Sequence, residues 1–145
     1  MSLNLDAILI CLSNDMAAEV TIAALKKNIH VFCEKPPAIN LFQMNKIIKL
    51  KNKKTNLKLM YGFNHRFHDS IQEALKIIKS KKLGYIINLK GTYGKSKLIT
   101  FDQTTWRTNR NIAGGGILLD QGIHLIDLII LSASYKDSIW SISTA

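Results

Sequence analysis

Two short apolar runs, Asp6 to Leu12 (DAILICL) and His30 to Cys33 (HVFC), flank an Ala/Leu-rich stretch that ends at Lys27, and this alternation restricts the chain more than any other feature. Runs of that length read as strands, and the segment between them reads as a helix. Ser13, Asn14 and Asp15 are the side chains that cap helix N-termini. Asn28 fits a helix C-terminal position with positive φ. A βαβ unit is the simplest account, and its right-handed crossover makes the two strands parallel neighbours.

The pattern continues past Pro36-Pro37. Asn40 with Gln43 resembles a capping box, and Leu41, Met44, Ile47, Ile48 and Leu50 keep helical spacing. A third strand is expected over Leu57 to Phe63. Ser70 with Glu73 is a second capping-box candidate ahead of the stripe Ile71, Ala74, Leu75, Ile77 and Ile78, which stops near Lys82-Leu83-Gly84. Tyr85 to Tyr93 (YIINLKGTY) reads as a longer strand, and Gly94 to Ile112 as an irregular loop of a length that is usually functional. Gly114-Gly115-Gly116 opens a segment of helical spacing, ILLDQGIHLIDLIIL, and Ser138 to Ser143 is a plausible last strand. Turn composition changes near Asn64, which sets a domain boundary: 1–63 and 64–145.

With 47% hydrophobic and 21% charged residues, the chain has the apolar content of a folded domain. The longest stretch free of Asp, Glu, Lys and Arg is Pro36 to Asn45, ten residues, against the ~20 apolar residues that a spanning helix needs. No transmembrane segment or secretory signal is therefore expected, and a cytoplasmic location follows by default. Cys11 and Cys33 sit in apolar runs and read as core thiols. The net charge of +10 includes six lysines between Lys46 and Lys58 (46, 49, 51, 53, 54 and 58) with no acid among them. That stretch lacks the arginines and aromatics used to stack on bases and read grooves, so it reads as a solvated helix face and no nucleic-acid partner is expected.

Asp120, His124 and Asp127 stand at i, i+4 and i+7, within about 60° of one face of an α-helix. A carboxylate one turn from an imidazole can fix its tautomer and raise its basicity, as a general base near neutral pH requires. Alternatively, His124 and Asp127 satisfy buried backbone or each other. The glycine run and Gly122 suggest close approach of another backbone or a ligand, or tight helix packing. Glu34-Lys35-Pro36-Pro37 follows a parallel strand, where open α/β sheets bind ligands, although a surface charge pair before a proline turn has the same sequence. His65 and His68 lack supporting carboxylates, so no metal site is expected. Trp106-Arg107 offers a flat apolar surface beside a fixed cation, suited to a ring or a phosphate, or to covering a core edge.

DAILICLSND, HVFCEKPPA, GFNHRF, WR and GGGILLDQGIHLID, in that order from about Asp6 to Leu131, resemble the Gfo/Idh/MocA family of nicotinamide-dependent oxidoreductases. The resemblance implies an α/β fold: the later part of a Rossmann-type parallel sheet, then the start of an α+β domain with a mostly antiparallel sheet. It implies an NAD or NADP cofactor and a substrate of the sugar, cyclitol or nucleotide-sugar class. It assigns catalysis to Lys35, Asp120 and His124, with His124 as general base, Lys35 polarising or sharing the hydroxyl proton and Asp120 orienting substrate. Cofactor contacts fall on Ser13, Asn14, Glu34, Lys35, Asn64, Trp106 and Arg107. Substrate contacts fall on Arg66, Asp120 and His124, and a homo-oligomer forms through the C-terminal domain sheet.

Departures accompany the resemblance. These 145 residues contain no G-x-G-x-x-G turn and no following strand that ends in a ribose-reading acid. Ala17 stands where many members place a histidine, and Asn28 replaces a usual glycine. The chain therefore reads as truncated at both ends, with weak or no activity when isolated. The alternative is a truncated, non-catalytic member acting as an interaction or scaffold module.

Overall fold

The computed structural model describes residues 4–94 and 106–133. These fall into two compact units, one within Met1–Gly62 and Lys95–Asp120, the other within Phe63–Gly94 and Gln121–Ala145.

In the first unit, β1 (Ala7–Ile10), β2 (His30–Cys33) and β3 (Leu59–Tyr61) form a three-stranded parallel sheet in the order β1-β2-β3. Ala7 to Ile10 pair in register with His30 to Cys33, and Val31 to Cys33 with Leu59 to Tyr61. The expected parallel βαβ unit is present, with α1 (Asn14–Lys26) as its crossover, and Asn28 takes the left-handed conformation at φ 61°. Ser13 occupies the N-cap of α1 without a side-chain cap; its carbonyl instead accepts from the N–H groups of Met16 and Ala17.

The next helix, α2 (Leu41–Lys53), begins where the sequence places it: Asn40 Oδ1 accepts from Gln43 N at 2.9 Å. Gln43 Oε1 reaches back to Ile39 N at 3.1 Å, one residue before the expected box partner. Ile47 is fully buried while Lys46, Lys49, Lys53 and Lys58 are exposed. Ile10, Leu25, Ile29, Val31, Cys33, Ile47 and Leu57 are the larger side chains of this core. The in-register row Leu9, Phe32 and Met60 belongs to the other sheet face, where Leu9 is 73% exposed. Cys11 corrects the expectation of two core thiols: β1 ends at Ile10, so Cys11 lies past the ladder and is exposed, whereas Cys33 is buried and its thiol is pushed up by desolvation.

The second unit opens with a 3₁₀ turn, Asn64–Phe67, and α3 (Asp69–Ser80). The Ser70/Glu73 capping box does not form. The helix starts two residues earlier, behind His68, so Ser70 is internal and Glu73 pairs with Lys76 at 2.6 Å. Tyr85 to Tyr93 forms no strand, because a strand requires a ladder partner and the described residues supply none; Ile87 is 97% exposed. The expected strand at Ser138 to Ser143 and residues 95–105 of the expected loop lie outside the described residues. The described end of that loop is not irregular: Trp106–Thr108 is a 3₁₀ turn, and α4 (Arg110–Ala113) is capped by Asn109, whose side chain accepts from Asn111 N.

The glycine run precedes the long helix rather than lying inside it. Gly114 ends α4 at φ 79°, a π turn covers Leu118–Gly122, and α5 spans Ile123–Ala133. Arg110–Ala133 is long and apolar enough to cross a membrane by length and composition, with an 18-residue stretch inside it at a mean hydropathy of 1.6, which qualifies the expectation that no segment could. Yet Asp120 and Asp127 lie within it and both are ion-paired in the fold, whereas a charge at a bilayer centre costs upward of ~2.5 kcal/mol.

Truncating Ile47 to Ala removes a fully buried side chain and should cost about 2–5 kcal/mol in urea unfolding. Asn40→Ala, which removes only the α2 cap, should cost about 1 kcal/mol.

Candidate active site

In the first unit the polar residues cluster where the parallel strands end. β1 is followed by Ser13 and Asn14, β2 by Glu34 and Lys35, and β3 by Gly62. Because parallel strands share a direction, their carboxyl ends lie on one edge of the sheet, the place where open α/β sheets bind ligands. A Cβ built on Gly62 would lie 2.8 Å from Glu34 Oε2, so the glycine admits that carboxylate against the backbone. Glu34 also accepts from Lys35 N at 3.3 Å, and the Lys35-Pro36 peptide is cis.

Two contacts bring a distant stretch of the same unit to this edge. Asn14 is buried at 5% exposure, and its Nδ2 donates to the carbonyl of Ala113 at 2.8 Å. One residue later Gly114 turns left-handed with its Cα against Ile39, where a side chain would collide with both the backbone and the side chain of that isoleucine. The close approach read from the glycine run is thus located at Gly114; a Cβ on Gly116 would meet nothing. The segment then delivers Asp120, whose main-chain carbonyl accepts from Lys35 Nζ and whose Oδ1 lies 3.5 Å from it. The lysine side chain is 15% exposed and the aspartate 28%, so the ammonium sits in a partly desolvated, negatively lined position. Trp106 and Arg107 pair locally, with the guanidinium 4.4 Å from the indole centroid.

In the second unit His124 and Asp127 are both buried, at 6% and 9% exposure. Arg66 forms a forked pair with Asp127: Nε donates to Oδ2 at 2.7 Å and Nη2 to Oδ1. The carboxylate raises the guanidinium pKa still further, so the cation is permanent. Asn64 is exposed at the start of the 3₁₀ turn that carries Arg66. The His65 ring lies parallel to that of His124, with centroids 4.2 Å apart and planes 9° apart. Neither the Arg66–Asp127 pair nor this stack was legible in the sequence, since residues some sixty positions apart share no local spacing.

The expectation that Asp120, His124 and Asp127 share a regular α-helical face is corrected by the π turn at Leu118–Gly122. A π turn bonds i to i+5 and inserts a residue, so a count of ~100° per residue does not carry through it. π turns of this kind are frequent at functional sites. His124 and Asp127 do share α5, and Asp127 is satisfied by Arg66 rather than by His124 or the backbone alone.

Residues 1–63 match the family model described as an oxidoreductase family with an NAD-binding Rossmann fold, and residues 71–140 match the GFO/IDH/MocA C-terminal domain. The chain is 32% identical over 134 residues to myo-inositol 2-dehydrogenase of Thermotoga maritima, covering 86% of this chain and 35% of that protein. It is 31% identical over 125 residues to glucose-6-phosphate 3-dehydrogenase of Bacillus subtilis, again covering 86% and 35%. Among solved structures, levoglucosan dehydrogenase in complex with NADH and levoglucosan superimposes with TM-score 0.80 at 30% identity, covering 90% of this chain and 34% of that one. Myo-inositol 2-dehydrogenase from Lactobacillus plantarum gives TM-score 0.78 at 31% identity, covering 92% and 39%. The chain thus spans about a third of the length of the relatives it matches.

Asn14→Ala strands the buried Ala113 carbonyl and should destabilise the chain by about 1–3 kcal/mol in chemical denaturation. Asn14→Asp, which replaces the donor by an acceptor facing that carbonyl, should cost at least as much.

Proposed function

The chain belongs to the Gfo/Idh/MocA family of oxidoreductases, and from that premise we propose that it carries the chemistry of hydride exchange between NAD or NADP and a hydroxyl carbon of a sugar, cyclitol or nucleotide-sugar. The observation that supports this most directly is the ammonium of Lys35 held against Asp120 at the carboxyl end of a parallel strand. A cation placed there can polarise a substrate hydroxyl and stabilise the alkoxide character that develops as its proton leaves.

In this reading His124 accepts the hydroxyl proton, Lys35 polarises the same oxygen, and Asp120 orients both the lysine and the substrate. His124 is buried on α5, the helix that also carries Asp127. Arg66, locked to Asp127, presents a fixed cation toward substrate oxygens. NAD(P), when bound, supplies the hydride acceptor.

The donor set fits the nicotinamide-ribose half of such a cofactor. Ser13 offers a hydroxyl, Asn14 and Asn64 carboxamides, Glu34 a carboxylate and Lys35 an ammonium, which match ribose hydroxyls and a nicotinamide amide. Trp106 and Arg107 together present the flat face and charge that suit a ring beside a phosphate. With no G-x-G-x-x-G turn in these 145 residues, the pyrophosphate grip is weak and the isolated chain has little or no turnover. The protein acts in the cytoplasm, on a small-molecule substrate and without nucleic acid, as a homo-oligomer assembled through the C-terminal domain sheet.

NADH and NADPH fluorescence titrations of the chain, and of a fusion that supplies a G-x-G-x-x-G strand–turn–helix ahead of it, test this reading. Saturable binding by the fusion is expected, with Lys35→Ala or His124→Ala lowering its hydride-transfer rate by about 10²–10⁴-fold. A fusion that folds but binds neither nucleotide would favour the interaction-module alternative, for which the exposed Leu9 row beside the β1 edge is the physical basis.

A further inference from the structure

The second unit surrounds His124 with a ring cluster of which the proposed chemistry uses only that histidine. The 3₁₀ turn Asn64–Phe67 closes through Arg66 N to the Phe63 carbonyl and His68 N to the His65 carbonyl, at 3.2 Å each. This turn brings His65 and His68 into a stack, with centroids 4.9 Å apart at 26°. The same His65 ring stacks on His124 at 4.2 Å and 9°, and on Tyr93 at 5.5 Å and 25°. Phe63 meets His124 edge-on, at 6.2 Å and 87°. A face contact and an edge contact together remove the rotational freedom of the His124 imidazole.

We propose that His65 is a positioning residue for His124: its stacked ring fixes the plane of the His124 imidazole and couples the protonation of the two. The consequence for turnover rests on the reading of His124 as general base, whereas the coupling belongs to the pair itself. One imidazolium over a neutral imidazole is favourable, as a cation over a π face. Two imidazolium charges at this separation repel. The pair therefore takes up its first proton readily and resists the second, and its titration steps belong to both rings together.

Among the described residues of these elements, Glu73 and Lys76 of α3 are paired with each other, and Lys79 and Lys90 are exposed. Arg66 and Asp127 are bonded to each other, so their charges largely cancel toward the stack. Asp69 begins α3 beside the exposed His68, and Tyr93 stands against His65. His68 stacks on the other side of the pair, against His65, with centroids 4.9 Å apart. His65 thus connects an exposed imidazole to a buried one.

The test follows the His124 Cε1–H resonance by NMR between about pH 5 and 9 in the chain and in its His65→Phe variant. Phenylalanine keeps a stacking ring and removes only the titrating nitrogens. The expected result is an upward shift of the His124 midpoint by about one pH unit, because a neighbouring positive charge no longer opposes protonation. His65→Gln, smaller and neutral, should shift the midpoint in the same direction and serves if the phenylalanine variant does not fold. An unchanged midpoint in a folded variant would overturn the coupling, whatever the dehydrogenase activity proves to be. A shift seen in a protein without dehydrogenase activity would uphold the coupling and count only against the dehydrogenase reading.

Discussion

The amide of Asn14 donating to the carbonyl of Ala113, across 99 positions of sequence, is the contact on which the first unit's site depends. A three-stranded parallel sheet by itself supplies only strand ends. The Asn14 bond fixes the chain immediately before Gly114, the glycine seats against Ile39, and six residues later Asp120 reaches Lys35. Removing the amide would leave a buried carbonyl without its donor and loosen every contact that follows.

Charge is managed differently in the two units. In the first, Lys35 Nζ donates to the main-chain carbonyl of Asp120 and lies 3.5 Å from its Oδ1, so the carboxylate contact is a single long one. In the second, Arg66 and Asp127 form a fork with two parallel bonds, the geometry that fixes orientation as well as charge. The fork holds the Arg66 guanidinium in one orientation, which suits a cation that must meet substrate oxygens at a fixed place.

Much of the first unit was legible because local physics determines it. The apolar runs, the left-handed Asn28 and the Asn40 cap each follow from side chains within a few residues of where they act. The misreadings came where a partner or a boundary mattered. Cys11 looked like a core residue only if β1 ran past Ile10, and Ser70 like a cap only if α3 began after it. Tyr85 to Tyr93 has strand composition without a described ladder partner. The site residues Lys35, Asp120 and His124 were legible through ordered motifs, yet helical counting could not reveal the π turn between Leu118 and Gly122. The Arg66–Asp127 fork and the His65–His124 stack arise from tertiary placement alone.

The central claim is that the strand-end residues, and not the lysine-rich surface, meet the nicotinamide nucleotide. Mapping backbone amide shifts of the ¹⁵N-labelled chain, fused behind a G-x-G-x-x-G strand–turn–helix, during NADH addition tests it most directly. Saturable shifts centred on Ser13, Asn14, Glu34, Lys35 and Asp120 are expected. Shifts confined to the exposed lysines of α2, and abolished by added salt, would contradict it by showing only non-specific attraction between a basic face and a phosphate.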